Sequence, residues 1–332
     1  MPNPPSKTLD EEIRAKVSDR AAYTSVIERL SKASVDKHWD AYADIPWADP
    51  DFAVDPDDPR WILPPVDPLG RTEWYRSQPP GVQSRIGLWR VATMMKIGLQ
   101  FENLLKRGLL AYAYRLPNAS PEFRYVLHET SEECQHAMMF QEFVNRTEMP
   151  IRGMPKALDL LAQIFPHVPR ISTELFFIFV LGGEDPIDYV QRKTIKDGDG
   201  LHPLQDTIMR IHIAEEARHI SFARHYLRHR VPAMHPLRRR ALAVATPLVL
   251  GRMARIMLAP PGPMVKYFGI PKEVVREAYR TDAWSAELKA CVAKVRDLAA
   301  ELGLLNRVST RVWKVVGLWD TPKKPRRARA AR

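Results

Sequence analysis

Apolar residues recur every three or four positions through most of the chain, whereas strict alternation of apolar and polar residues is scarce. This periodicity predicts amphipathic helices and argues against strands. Five long helices are expected near residues 9–34, 83–114, 120–146, 170–196 and 203–228. Shorter ones are expected near 156–165, 236–259, 271–281, 284–302 and 306–317. The predicted fold class is all-α.

The stretch from about Trp39 to Pro80 interrupts this pattern, because proline and aspartate are frequent there and tryptophans are interleaved. Proline at this density excludes helix interiors and central strands. The tryptophans argue against a free linker, since large aromatic side chains gain most from burial. We therefore predict an ordered, extended strap that packs on the surface of the helical domain.

Two Glu-x-x-His motifs each follow a lone glutamate at nearly the same distance. The first set is Glu102, Glu133 and His136, and the second is Glu184, Glu216 and His219. Residues three apart share a helix face, and thirty-odd residues span half a helix, a turn and half of an antiparallel helix. Two such hairpins close a ferritin-like four-helix bundle, in which four carboxylates and two imidazoles can hold two iron or manganese ions.

His212 extends this constellation, because it lies four residues before Glu216 on the same stripe. We expect it to be a seventh ligand; the alternative is a pocket histidine that donates to a carboxylate. Glu133 and Glu216 are assigned as bridges between the metals. Glu102 and His136 would complete one metal, and Glu184, His212 and His219 the other. Without cysteine ligands, a structural zinc site is not expected.

Residues beside these ligands receive lesser roles. Glu132 and Glu215 are rotated about 100° from the metal face, so they are expected either at the solvent side or in support of the ligands. Cys134 is expected to pack rather than to react. Pro186 follows Gly182-Gly183 and Glu184 closely, which predicts either a kink or π-bulge beside the metals, or close helix packing at the glycines.

Charge and composition restrict the expected partners, disulfides and location of the protein. The chain has 332 residues and a net charge of +11, of which six charges lie in the tail Lys323–Arg332. A disordered solubilising tail is the favoured interpretation, and nucleic acid is not an expected partner. Two cysteines provide no disulfide framework. Neither a signal peptide nor a transmembrane segment is recognised, so a cytoplasmic location is the default.

These patterns divide the chain into four parts. Residues 1–82 hold the first helix and the strap, and residues 83–230 hold the four-helix bundle with the dimetal site. Residues 231–320 provide additional helices packed on the bundle, and residues 321–332 form the basic tail.

The ligand motifs resemble those of the p-aminobenzoate N-oxygenase (AurF-type) family of non-haem di-iron oxygenases. The likeness rests on Glu102, the Glu-Glu-Cys-Gln-His run at 132–136, Gly-Gly-Glu-Asp at 182–185 and the run from His212 to His219. It implies two Fe ions (with Mn possible), O2 as co-substrate and a peroxo-diferric oxidant that converts an arylamine toward its nitro compound. It also implies a cytoplasmic homodimer, a small-molecule substrate and an external electron donor such as a reductase or ferredoxin.

The resemblance leaves the substrate pocket unassigned. We hypothesise that a substrate carboxylate meets Arg252, Arg255 or Arg280. A fatty-acyl desaturase or hydroxylase and a ferritin-like iron-binding protein remain alternatives with the same ligands. A radical generator is disfavoured, because Phe140 stands where its tyrosine is expected. A last alternative is an interaction protein that acts through its basic tail.

Overall fold

The computed structural model describes residues 9–155, 162–197 and 200–320, and within these ranges the regular elements are all helical, with no strand. The predicted all-α class is therefore confirmed. The long helices are α1 (Leu9–Asp36), α3 (Pro80–Ala113), α4 (Pro121–Arg146), α5 (Thr173–Asp197), α6 (Pro203–Arg230) and α7 (Pro236–Leu258). The short ones are α2 (Glu73–Arg76), α8 (Gly262–Tyr267), α9 (Lys272–Tyr279), α10 (Asp282–Cys291), α11 (Ala293–Glu301) and α12 (Arg307–Val315).

Helices α3 to α6 form a four-helix core, consistent with a ferritin-like bundle. Helix α3 packs along α4, and α5 packs along α6. Each pair is joined by a short connection, so its members run antiparallel. Helix α1 lies across α4 and α6, whereas α7 covers α5 from the other side. Helices α4, α5 and α6 therefore each turn one face to the interior and have another covered by a flanking helix, whereas α3 is covered mainly by the 3-10 turns Pro59–Trp61 and Phe165–Arg170.

Prolines set the starts of these helices. Pro121, Pro203 and Pro236 each stand in the first turn of their helix, where the missing N–H costs nothing and the fixed φ angle already suits the helix. The predicted start of α4 after Ser120 is confirmed. The His202 imidazole accepts from the Leu204 N–H and so caps α6. These fixed starts set the register of α4 and α6, and with it the direction of their ligand side chains.

The Pro/Trp-rich strap is ordered, as predicted. Asp49 and Asp58 each accept a backbone hydrogen bond at the start of a 3-10 turn whose first residue is proline, Pro50–Phe52 and Pro59–Trp61. Trp61 is buried and stacks on His202 with ring centroids 4.2 Å apart. Burial of the Trp61 ring thus anchors the strap to the bundle. The Asp-Pro turns fix the local conformation of its backbone.

The flanking helices differ in detail from the prediction. The helix expected at 284–302 is two helices that meet at Val292, with neither Gly nor Pro at the break. The short α8 was not predicted. Most of the helix expected at 156–165, and the basic tail at 321–332, lie outside the described residues.

The predicted π-bulge near Pro186 is absent, because α5 is α-helical without interruption from Thr173 to Asp197. The two glycines instead permit close packing. A Cβ on Gly183 would lie 2.0 Å from the Phe101 ring of α3, and one on Gly182 would lie 3.0 Å from the Met253 sulfur of α7. The alternative interpretation, close packing at Gly182-Gly183, therefore accounts for the pair.

One segment among the described residues, Pro236–Tyr267, is long and apolar enough by length and composition to cross a membrane. The sequence analysis recognised no transmembrane segment, because the apolar run Ala241–Gly251 within this stretch is too short to span a bilayer. Just over half of its most apolar stretch is buried inside the structure, where α7 packs on α5. Buried core helices meet the same criteria of length and composition.

Gly87 provides a test of how firmly α3 holds the strap. A Cβ on Gly87 would lie 1.8 Å from the Trp61 carbonyl oxygen, so Gly87→Ala must push backbone apart. We expect it to lower the free energy of unfolding by about 1–3 kcal/mol, measured by urea denaturation. Gly81→Ala in the same helix is the control, because its Cβ would meet only the exposed side chain of Asp57, at 3.0 Å. Equal stability of the two variants would contradict the close contact.

Candidate metal centre

The seven side chains predicted as ligands lie together at the centre of the bundle. Helix α3 contributes Glu102, α4 contributes Glu133 and His136, α5 contributes Glu184, and α6 contributes His212, Glu216 and His219. None of the seven is more than 4% exposed. Four carboxylates buried this deeply would be strongly destabilising without compensating charge.

Their ligand atoms fall into two groups. Within each group, one nitrogen or oxygen atom from every residue lies within 4.8 Å of all the others. The first group is Glu102, His136 and His212; the second is Glu133, Glu184, Glu216 and His219. The structure therefore places His212 with Glu102 and His136, not with Glu184 and His219 as the sequence analysis assigned it. On α6 His212 shares a face with His219 but lies almost two turns, about 10 Å, nearer the start of the helix, where it meets Glu102 of α3 and His136 of α4.

Glu133 and Glu216 stand between the two groups. The Glu133 Oε1 atom lies 3.0 Å from His219 Nδ1, while its Oε2 atom lies 3.5 Å from His136 Nδ1. Glu216 similarly directs Oε1 to His212 Nε2 at 3.3 Å and Oε2 to His219 Nδ1 at 3.5 Å. Each carboxylate thus reaches atoms of both groups, as a bridging ligand would.

The inner atoms of the site lack hydrogen-bond partners, whereas the outer imidazole atoms have them. Both oxygens of Glu133 and of Glu184 are buried and unpaired, and so are Nδ1 of His136 and Nδ1 of His219. The His136 Nε2 atom lies 2.8 Å from Glu215 Oε2, and the His219 Nε2 atom lies 2.7 Å from Glu132 Oε2. With Nε2–H donating outward, each Nδ1 lone pair is directed to the centre.

Arg218 and Gln191 complete this outer layer. The Arg218 guanidinium donates to Glu132 at 2.8 Å and to Glu215 at 3.3 Å, so one cation contacts both supporting carboxylates. Gln191 Oε1 lies 2.9 Å from His212 Nδ1, which leaves His212 Nε2 to face Glu102 and Glu216. All three imidazoles are therefore oriented by a polar group behind them.

Burial dominates the electrostatics of two inner carboxylates, Glu102 and Glu184. It raises the pKa of Glu102 well above its usual range, and the neighbouring Glu133 charge raises it further. The pKa of Glu184 is raised in the same way by burial and by Glu216. Burial also opposes ionisation of Glu132, but His219 and Arg218 outweigh it and lower the pKa of Glu132 to about 2. Glu132 is thus held as an anion, while burial disfavours the charged forms of Glu102 and Glu184, which a bound cation would stabilise.

A pair of divalent cations fits these residues. The unpaired inner atoms are carboxylate oxygens and imidazole nitrogens, a donor set that suits iron and manganese. Their two groups share Glu133 and Glu216, as a dimetal site requires. Metal binding would offset the free-energy cost of removing the inner carboxylates from water. It therefore explains why these groups are buried without hydrogen-bond partners.

A cavity of about 380 Å3 leads from this centre to the protein surface. Its inner end is lined by Glu102, Glu133, Glu184, His212 and Glu216, and strap residues 60–68 form part of its wall. Its lining includes none of Arg252, Arg255 and Arg280, so the hypothesis that one of these meets a substrate in the cavity is wrong. The arginines that line it are Arg60, Arg71 and Arg90.

Comparison with known proteins agrees with the site. A model of the family described as "P-aminobenzoate N-oxygenase AurF" matches residues 20–303, which covers the whole bundle and the strap. The chain belongs to the AurF family. The resemblance drawn from the ligand motifs is thereby confirmed, and the site consists of two buried Glu/His groups in an all-α member of that family.

Relatives cover nearly the full length of this AurF-family chain. An uncharacterised protein of Mycobacterium tuberculosis (strain CDC 1551 / Oshkosh) is 42% identical over 314 residues, 93% of this chain and 92% of its own. An uncharacterised protein of Mycobacterium bovis (strain ATCC BAA-935 / AF2122/97) is 41% identical over the same shares. No solved structure matches the chain.

Sequence reasoning missed part of the outer layer. For Glu132 and Glu215 the sequence analysis left two roles open, at the solvent side or in support of the ligands. In the structure both are buried, Glu132 against His219 and Glu215 against His136. Their offset of one residue from each ligand glutamate is the signal that could have placed them. Arg218 and Gln191 carried no motif. Glu129, one turn before Glu133, is fully buried with both oxygens unpaired, and burial raises its pKa to about 8.

The bridging assignment leads to a direct prediction. Glu133→Ala or Glu216→Ala removes a carboxylate that reaches both groups, so neither variant should bind two metals. The measurement is metal content after anaerobic loading with Fe(II), followed by gel filtration and elemental analysis. Glu142→Gln serves as the control on α4, since Glu142 pairs only with Arg146 outside the site. Two metals per chain in either alanine variant would refute the assignment.

The outer layer leads to a second prediction. Glu132→Gln and Glu215→Gln keep the side-chain size but remove the charge that orients His219 and His136. We expect each to weaken metal binding about 10- to 100-fold, measured by competition with a metal chelator. Affinity equal to that of the unaltered protein in both variants would show that the outer carboxylates only fill space.

Proposed function

We propose that this protein is an O2-dependent non-haem di-iron oxygenase that oxidises the amino group of an arylamine or a related small aromatic. The observation that carries the proposal is the arrangement of unpaired inner ligand atoms backed by fully paired outer ones. Membership of the AurF family supports the same reaction class. The donor set accepts both iron and manganese. The choice of iron is therefore part of the proposal.

Two ferrous ions, when bound, would supply two electrons for the reduction of O2, and an external reductase or ferredoxin would restore them. The protein contributes ligands whose mode can change. Glu102 and Glu184 lie on separate helices at the inner end of the cavity, and each has at least one unpaired oxygen. These oxygens would be available to hold the metals, whereas the imidazoles are held in place by Glu132, Glu215 and Gln191.

The cavity is the second contribution of the protein. Phe101, Leu105, Phe140 and Met209 surround the glutamates at its inner end. These apolar walls exclude bulk water from the reacting atoms, which protects a reactive oxidant from quenching. A substrate that enters along the cavity is delivered beside Glu102 and Glu184. An iron-storage protein needs a polar route for iron ions and has no need of a passage with apolar walls, so the cavity favours an enzyme over a ferritin-like function.

A fatty-acyl desaturase or hydroxylase uses the same metals and also requires an apolar cavity. The two reactions differ in the bond that is attacked, C–H in one case and the amine nitrogen in the other. The products of turnover therefore decide between them. A homodimer and a cytoplasmic location belong to the proposal, and light scattering of the purified protein tests the first.

The proposal is tested by stopped-flow absorption. Anaerobic protein loaded with Fe(II) is mixed with O2 and then with a panel of arylamines, and products are identified by mass spectrometry. We expect a transient visible band that decays faster when an arylamine is present, with oxygen atoms appearing on nitrogen. Decay that is indifferent to every amine, with a stable ferric product, would overturn the N-oxygenase proposal and favour storage or acyl-chain chemistry.

A further inference from the structure

We propose that the substrate of this site is an elongated, mostly apolar amine larger than one aromatic ring, whose acidic end is bound by Arg71 on the strap. This inference rests on the proposed function and specifies its substrate class. Three features carry it: the size of the cavity, the nature of its walls, and the pairing of the charges at its outer end.

The cavity is larger than a single-ring amine requires. A cavity of roughly 150 Å3 is enough to hold benzene, whereas this one measures about 380 Å3. That volume lies within the range of about 300–1,000 Å3 of pockets that bind drug-sized ligands. One aromatic ring beside the glutamates would leave much of the cavity to water. A longer substrate would displace that water and bury more apolar surface.

The walls are apolar and adaptable along the length of the cavity. Met94 and Met95 from α3, Met209 from α6 and Met257 from α7 line it together with Trp284 from α10. Methionine side chains are flexible and polarisable, so they conform to bulky apolar groups of varied shape. The body of the substrate is therefore apolar, and it is long enough to fill the cavity between the strap and the glutamates.

Most charges outside the metal centre are already neutralised. Arg60 donates to Asp58 through two of its nitrogens, Arg90 lies 3.3 Å from Asp67, and Lys193 lies 2.8 Å from Glu287. Asp197 is exposed at the end of α5, on the side of Lys193. Arg71 is different, because its guanidinium makes no hydrogen bond or ion pair with any described residue although it lines the cavity.

Arg71 is positioned opposite the metal centre by the strap. Neighbouring strap residues are fixed to the bundle: Asp67 pairs with Arg90 of α3, and the Tyr75 hydroxyl donates to the Gln83 carbonyl. Arg90 also donates to the Tyr279 hydroxyl, so the strap, α3 and α9 are joined at this rim. Arg90 precedes Glu102 by twelve residues on α3, which is about 18 Å of helix, so the strap supplies the part of the cavity wall that is distant from the bundle glutamates. An acid held at Arg71 would direct the far end of the substrate to the metals.

The test is calorimetric binding to the Fe(II)-loaded protein under anaerobic conditions. The probes are 4′-aminobiphenyl-4-carboxylate, the neutral 4-aminobiphenyl and the single-ring 4-aminobenzoate. We expect the two-ring acid to bind at least about tenfold more tightly than either of the others, because only it combines apolar burial with a charge-assisted hydrogen bond. Equal affinity for the one-ring and two-ring acids would overturn the size argument.

Arg71→Met isolates the charge. It should weaken binding of the two-ring acid about tenfold and leave binding of 4-aminobiphenyl unchanged, while Arg71→Lys should keep part of the preference for the acid. Arg76→Met is the matched control, because Arg76 belongs to the strap but does not line the cavity. An undiminished preference for the acid in Arg71→Met would overturn the assignment of Arg71.

Calorimetry also separates this inference from the proposed function. Binding needs neither O2 nor turnover, so a protein that binds the two-ring acid but oxidises no amine would contradict the proposed reaction and retain the binding site. A protein that oxidises arylamines with no preference for length or charge would keep the reaction and overturn the inference.

Discussion

Four glutamates removed from water at the centre of a helical bundle are the constraint on which the rest of this structure depends. A buried carboxylate without a cation or hydrogen bonds is strongly destabilising, and here Glu133 and Glu184 leave both oxygens unpaired. Two divalent cations would supply the charge that these groups lack. On this account the bundle core is a ligand cage whose stability is linked to metal binding.

The layers around the cage follow from the same requirement. Imidazoles can serve as ligands only if their lone pairs face inward, so Glu132, Glu215 and Gln191 hold the outer nitrogens. Arg218 in turn donates a hydrogen bond to each of the two supporting glutamates. Close helix approach is secured by Gly183 against Phe101. The strap and flanking helices then enclose a cavity that reaches the ligand glutamates and is also lined by Arg71 of the strap.

Much of this arrangement was predictable, because ligand spacing and helix periodicity are local properties of a sequence. The bundle and the grouping of seven side chains follow from helix periodicity, Glu102, Glu184, His212 and the two Glu-x-x-His motifs. The ordered strap follows from its interleaved prolines and tryptophans. The side on which His212 falls was predicted wrongly, since it depends on how α6 is rotated against α3 and α4. Arg218 and the arginines of the cavity were missed because contacts between distant segments leave no spacing pattern.

Anomalous X-ray diffraction at the iron edge, from crystals grown after anaerobic loading with Fe(II), tests the central claim most directly. The account predicts two peaks per chain, one among Glu102, His136 and His212 and the other among Glu133, Glu184, Glu216 and His219. Glu133 and Glu216 should each contact both peaks. A single peak, or strong peaks only at surface residues, would contradict a dimetal centre in this bundle.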